Sequence, residues 1–138
     1  MGKGAFANCK GFNGTLTVST PNIGELAFGD CSGFTELILS NSVETIGKNA
    51  FQGCSSFSGN LNIPGSVTSI GYGAFSGCSG FTGDLTIPNS VTSVGSIAFR
   101  GCSGFNGNLT IPNDIDKIEF AVFKGCSGLT GTLTIPSS

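Results

Sequence analysis

The six cysteines of this chain recur at spacings of 22, 23, 24, 24 and 24 residues, at Cys9, Cys31, Cys54, Cys78, Cys102 and Cys126. A period in that range marks an array of structural repeats. Other columns hold the same register. Phe6, Phe28, Phe51, Phe75, Phe99 and Phe123 stand three residues before the cysteines, and Ala5, Ala27, Ala50, Ala74, Ala98 and Val122 immediately precede those rings. Three residues after the cysteines come Phe12, Phe34, Phe57, Phe81, Phe105 and Leu129, so eleven of the twelve phenylalanines occupy two columns. A lone unit of about 24 residues cannot bury its apolar side, whereas stacked units share a continuous interior of ladders. Stacking is therefore the folding reaction, and each buried phenylalanine is worth roughly 1.5–3 kcal/mol relative to exposure.

Each unit then runs into a short stretch of apolar alternation: Leu16-Thr17-Val18, Leu37-Ile38-Leu39, Leu61-Asn62-Ile63, Leu85-Thr86-Ile87, Leu109-Thr110-Ile111 and Leu133-Thr134-Ile135. Period two sends the flanking residues inward and the middle one outward, as in a half-buried strand. In four units Pro64, Pro88, Pro112 or Pro136 follows at once, and its missing N–H ends the strand. A second apolar pair comes next: Val43 with Ile46, Val67 with Ile70, Val91 with Val94, and Ile115 with Ile118. Its spacing of three suits a bent extended segment or a tight turn. Glycines such as Gly80 and Gly83, around Phe81, are expected to serve corners through positive φ or close backbone approach.

The run Phe81-Thr82-Gly83-Asp84-Leu85-Thr86-Ile87-Pro88, continuing through Val91, Val94-Gly95 and Ala98-Phe99 to Cys102, resembles the BspA-like, Treponema-type leucine-rich repeat family. The same likeness is carried by Ile46-Gly47-Lys48-Asn49-Ala50-Phe51-Gln52-Gly53-Cys54 and by Ile70 to Cys78, and it extends from Ala5 to Pro136. It implies a mainly β leucine-rich-repeat solenoid of right-handed coils, with a parallel sheet on the concave face and short strands or turns opposite. Residues 1–138 then form a single repeat domain of about five to six coils that starts and ends mid-repeat. Family members look like bacterial or protist surface and secreted proteins that bind host proteins or other cells. The resemblance therefore implies a cell-surface or secreted location and a protein or cell-surface ligand. The family motif defines a core and not a site, so no ligand-contacting residue is carried over.

The chain departs from the family pattern in three places. The unit with Phe34-Thr35-Glu36-Leu37 keeps the usual spacing, while other units insert a glycine such as Gly59, Gly83 or Gly107 before the strand. The first unit is two residues shorter between Val18 and Ile23, and the fifth carries Glu119 where glycine is usual. Local irregularity is expected at the last two.

Composition excludes several functions. Six basic and eight acidic side chains are spread thinly, giving a net charge of -2, with no basic cluster to neutralise a row of phosphates. Nucleic acid is not an expected partner. No apolar run approaches the roughly 18 residues that span a bilayer, so membrane insertion is not expected. Met1-Gly2-Lys3-Gly4 lacks the apolar stretch of a signal peptide, as a truncated secreted protein also would. One cysteine per unit and no histidine give no clustered metal ligands, and no cofactor is expected. Stacked strands lie about 4.8 Å apart, which brings neighbouring cysteines within bridging range, but a ladder of buried reduced thiols is the favoured reading. Asp114, Asp116 and Glu119 with Lys117 form the densest charged cluster and read as a solvated edge, so no enzyme is expected. Asn13-Gly14-Thr15 and Asn108-Leu109-Thr110 match the glycosylation sequon, a frequent chance pattern.

What remains is a surface. The outward positions of the strand ladder are Thr15 and Thr17, Glu36 and Ile38, Asn60 and Asn62, Asp84 and Thr86, Asn108 and Thr110, and Thr132 and Thr134. They predict a weakly acidic strip rich in hydroxyls and amides, and the leading expectation is an adhesin-like binding module. The alternative is a structural or self-assembling spacer. Neither end reads as a polar cap, and open coil ends expose apolar surface and strand edges, so a homo-oligomer joined through those ends is also expected unless the chain belongs to a longer array.

Overall fold

In the computed structural model, which describes residues 1–137, the chain winds into stacked coils whose strands all pair in parallel. No helix occurs among the described residues. Coils are numbered here by cysteine, from coil 1 with Cys9 to coil 6 with Cys126. One face carries β1 (Gly14–Val18), β3 (Phe34–Leu39), β6 (Leu85–Thr86), β8 (Leu109–Thr110) and β9 (Leu133–Thr134). A second carries β2 (Asn22–Ile23), β4 (Thr45–Ile46), β5 (Ser69–Ile70) and β7 (Ser93–Val94), stacked in that order. Proline sets strand length on the first face: β1 and β3 have none and run five and six residues, whereas β6, β8 and β9 stop after two, before Ile-Pro.

The third side is built of turns. Within coil 3, Ala50, Gln52 and Cys54 donate N–H groups back to the carbonyls of Gly47, Asn49 and Phe51 at 3.2 Å each. The alternate donors Asn49, Phe51 and Gly53 reach instead to Tyr72, Ala74 and Ser76 of the next coil at 2.7, 2.8 and 2.8 Å. Every backbone donor in this stretch is thereby satisfied, half locally and half by the stack. This alternation requires left-handed φ two residues before and two after each core phenylalanine. Those two columns hold Gly4, Leu26, Asn49, Gly73, Ile97 and Ala121, then Asn8, Asp30, Gly53, Gly77, Gly101 and Gly125.

The interior follows the sequence columns. Phe6, Phe28, Phe51, Phe75, Phe99 and Phe123 form one continuous stack with centroid separations of 5.3 to 6.0 Å. The second column stacks Phe12 on Phe34 and Phe57 on Phe81 on Phe105, without a contact of this kind from Phe34 to Phe57. Edge contacts of Phe51 with Phe57 and Phe75 with Phe81 tie the columns together. The rings are fully covered only inside the stack, since Phe6 and Phe12 in coil 1 are 41% and 50% exposed.

The two expected irregularities turn out differently. The short first unit loses its residues from the loop, and β2 still pairs with β4 in register because the Pro21 carbonyl accepts from both Glu44 and Thr45. The fifth unit parts from the stack only at its second strand position, since β8 of the same unit pairs with both neighbours. Gly47, Gly71 and Gly95 donate to Ile23, Ile46 and Ile70 of the preceding coil at 2.8 to 2.9 Å, and a Cβ added at Gly71 would stand 2.7 Å from the backbone nitrogen of Lys48. Glu119 brings such a Cβ to this column. Among the described residues it makes no matching bond, no strand forms at Ile118, and Ile118 and Phe120 are 45% and 77% exposed.

Candidate binding face

The strand face displays one side chain from every second residue, and all twelve outward positions named above are exposed. Of their inward neighbours, Val18, Leu37, Leu39, Leu61, Leu85, Ile87, Leu109 and Ile111 are buried in the core, whereas Leu133 and Ile135 in coil 6 are 57% and 64% exposed. The face is thus backed by the core through coil 5. Two side-chain ladders order its edge. Thr15 Oγ1 donates to Glu36 Oε2 at 2.6 Å across coils 1 and 2. In coils 4 to 6 the backbone N–H of Asn108 donates to Asp84 Oδ1, and that of Thr132 to Asn108 Oδ1, both at 2.7 Å. Glu36 and Asp84 are the only charged groups among the twelve, so the strip is acidic.

The face is not continuous. Phe34 enters β3 directly, whereas Phe57 is followed by an extra residue and a left-handed turn at Gly59 (φ 72°). The same mismatch between coils 1 and 2 is absorbed by a register shift at Gly14/Thr15. Between coils 2 and 3 it is not absorbed, and the expected third strand is missing. Among the described residues no backbone group of Asn60, Leu61, Asn62 or Ile63 bonds to a neighbouring coil, and on this face coil 3 meets coil 4 only at an isolated bridge from Gly59 to Phe81. A cleft of about 440 Å³ opens there, lined by Asn60, Leu61, Asn62, Gly83, Asp84 and Thr86. The sequence carried one signal for it, the change from two to three residues between the phenylalanine and the leucine.

The cysteines lie away from this face, in the core. Cys31, Cys54, Cys78, Cys102 and Cys126 each donate Sγ–H to a phenylalanine carbonyl in the preceding coil, at 2.9 to 3.1 Å, and all six are free thiols. Burial pushes Cys54 up to about 12 and Cys126 up to about 11, and raises Cys31, Cys78 and Cys102 as well. Thiols so shifted stay protonated at neutral pH and are poor nucleophiles. Of the charged cluster near the fifth unit, Asp114, Asp116 and Lys117 are exposed, and Lys117 pairs with Glu119 at 2.9 Å. No group of three His, Cys, Asp or Glu among the described residues is placed to hold a metal ion, and no helix among them is long and apolar enough to cross a membrane.

Parallel coils of about 24 residues, a ladder of aromatic rings and thiols, and a polar strand face define a leucine-rich-repeat solenoid. The chain belongs to the BspA-type leucine-rich repeat family, whose model matches residues 1–130 with six copies. Among solved structures it is similar to the leucine-rich repeat protein of T. pallidum, at 29% identity and a TM-score of 0.86 over 99% of this chain and 63% of that one. It is also similar to a leucine-rich repeat protein from Bacteroides ovatus, at 28% identity and a TM-score of 0.75 over 99% of this chain and 40% of that one. A leucine-rich cell surface protein from Faecalibacterium prausnitzii shares the fold at 24% identity and a TM-score of 0.76, over 90% of this chain and 32% of that one. The chain thus spans less than two thirds of each. No curated protein matches it.

Proposed function

We propose that the chain is an adhesin-like binding module of the cell surface or extracellular space, engaging a protein or cell-surface ligand through its strand face. The observation that carries this reading is the exposure of all twelve outward positions along one face, with the inward neighbours Leu37, Leu39, Leu61, Leu85, Ile87, Leu109 and Ile111 of coils 2 to 5 buried in the core. A rigid display of hydroxyls, amides and two carboxylates loses little conformational entropy when a partner docks. The reading includes no catalytic step. The test compares attachment of the labelled protein to a cell layer with that of two variants. Lysine at Thr17, Thr86, Thr110 and Thr134 is expected to abolish attachment, while lysine at Ser76 and glutamine at Arg100, on the turn side, leave it intact. Equal attachment by the strand-face variant overturns the reading.

A second reading, association through the coil ends, is favoured by the hydrogen-bond pattern of the turns. Each coil donates three N–H groups to the next, and among the described residues the N–H groups of Ala121, Phe123 and Gly125 and the carbonyls of Lys3, Ala5 and Ala7 have no such partner. These ends match a coil of the same kind, whether from a second copy or from a longer array. Light scattering that finds only monomer at high concentration contradicts self-association by the free chain.

A further inference from the structure

We infer that Tyr72 and Phe120 form an aromatic clamp over Ser96 that takes one pyranose ring of a neutral glycan. The clamp lies away from the strand face and does not depend on that reading.

The inference starts from where the aromatic residues fall. Eleven phenylalanines fill the two core columns and the chain has no tryptophan, so Tyr72 and Phe120 are the two aromatic residues that the core does not use. Both stand in one surface column. Backbone bonds of 2.7 to 3.0 Å set its register, since Gly4, Leu26, Asn49, Gly73 and Ile97 donate in turn to the carbonyls of Glu25, Lys48, Tyr72, Ser96 and Phe120. The first members of the column cover one another: Lys3 pairs with Glu25 at 3.3 Å, and Lys48 Nζ lies over the Tyr72 ring, 5.5 Å from its centroid. The opposite face of Tyr72 is left toward Ser96, whose side chain is too short to cover a ring, and Phe120 stands on the far side of that serine. Tyr72 and Phe120 are 46% and 77% exposed, and a ligand seated between them removes both from water.

Spacing and surroundings select the ligand. Two coil steps put the two side chains roughly 10 Å apart. A flat ring in contact with both walls fills about 7–8 Å, whereas a puckered saturated ring with C–H groups on both faces fills more. A pyranose chair has such faces and carries hydroxyls around its edge. Those hydroxyls find partners in the shallow groove of about 640 Å³ beside the slot, where Ser69, Ser93 and Ser96 offer hydroxyls and Glu119 a carboxylate. Lys117 holds Glu119 Oε1 at 2.9 Å, which leaves Oε2 to accept from a sugar. A proline-rich or aliphatic segment matches the rings but satisfies none of these polar groups. The cations beside the slot, Lys48 and Lys117, already engage Tyr72 and Glu119, so an acidic sugar gains no countercharge.

The test titrates the full chain with cellohexaose, maltohexaose and mannohexaose, read by the fluorescence of Tyr72, the single tyrosine in a chain without tryptophan. At least one of these sugars is expected to bind and to change that emission. Phe120→Ala keeps the fluorophore and is expected to weaken binding about tenfold, and Tyr72→Ala, followed by calorimetry, to weaken it by a similar factor. Ser96→Phe retains both rings but fills the space between them, and is expected to abolish binding. None of these positions lies in the core, and an unchanged thermal midpoint shows that the fold is kept. Binding by none of the sugars, or binding that survives both Phe120→Ala and Ser96→Phe, overturns the clamp. A proline hexapeptide that binds there in place of the sugars also overturns it, as does self-association that Phe120→Ala abolishes while no sugar binds. The strand-face variant with lysine at Thr17, Thr86, Thr110 and Thr134 is expected to bind the sugar as tightly as the parent chain, so the two sites stand or fall separately.

Discussion

The thiol of Cys78 donates to the main-chain carbonyl of Phe51 in the preceding coil at 3.0 Å. This bond explains why a cysteine recurs in the column: the position needs a side chain small enough for a packed interior, apolar in bulk, and able to offer one weak donor to a buried carbonyl. Replacing Cys78 with alanine removes both the donor and part of the volume, and is expected to cost roughly 1–3 kcal/mol in urea-unfolding stability. An unchanged unfolding midpoint contradicts the role assigned to the ladder.

The same burial gives the ladder a pH signature. The Cys54 thiol is pushed from 9.0 up to about 12, so above pH 9 the unfolded chain releases protons that the folded chain keeps. Stability is therefore constant with respect to these thiols below about pH 9 and falls as pH rises toward about 12. Thermal unfolding followed from pH 7 to 11 is expected to show this decline, and a variant with alanine at Cys54, Cys78 and Cys102 to show much less of it. Iodoacetamide at pH 8 should leave Cys54, Cys78 and Cys102 unmodified until denaturant is added.

Gly71 lies against the backbone of Lys48, so that Gly71→Ala has nowhere to place its methyl except by parting two coils. We expect a loss of about 1–3 kcal/mol, read by urea unfolding. Glu119→Ala, in the same column one coil beyond Gly95, is expected to change stability by less than about 0.5 kcal/mol, because the fifth unit has already separated there.

Ile97 holds φ at 54°, a conformation that costs a β-branched residue roughly 1–2 kcal/mol. Asn49 occupies the same column with φ at 54°, and asparagine tolerates it better. Ile97→Asn is therefore expected to raise stability by about 0.5–1 kcal/mol, measured by the shift in thermal midpoint. A loss shows that the half-buried side chain of Ile97 matters more than its backbone.

Much of this architecture was legible in the sequence because it is periodic. The phenylalanine and cysteine columns, the alternation around Thr86 and Thr110, and the stop imposed by Pro88 and Pro112 each repeat an elementary packing rule. Glu119 announced its own disruption by replacing glycine in a column where the structure leaves no space for Cβ. Less legible were features that depend on how two unlike units meet. Leu61-Asn62-Ile63 has the same alternation as Leu85-Thr86-Ile87, yet only the latter is reached by strand pairing. The left-handed conformations of Leu26 and Ile97 were likewise hidden, because nothing about leucine or isoleucine suggests positive φ until the stack demands it.

Amide hydrogen exchange on the free protein tests the central structural claim most directly, because it reads stacking and its interruption residue by residue. The amides of Phe28, Phe51, Phe75 and Phe99, each bonded to the next coil, are predicted to be strongly protected, as are Leu85 and Leu109, while Leu61, Asn62 and Ile63 exchange orders of magnitude faster. Protection at Leu61 to Ile63 equal to that at Leu85 and Leu109 would mean a continuous strand face, and fast exchange at the phenylalanines would mean that the coils do not stack at all.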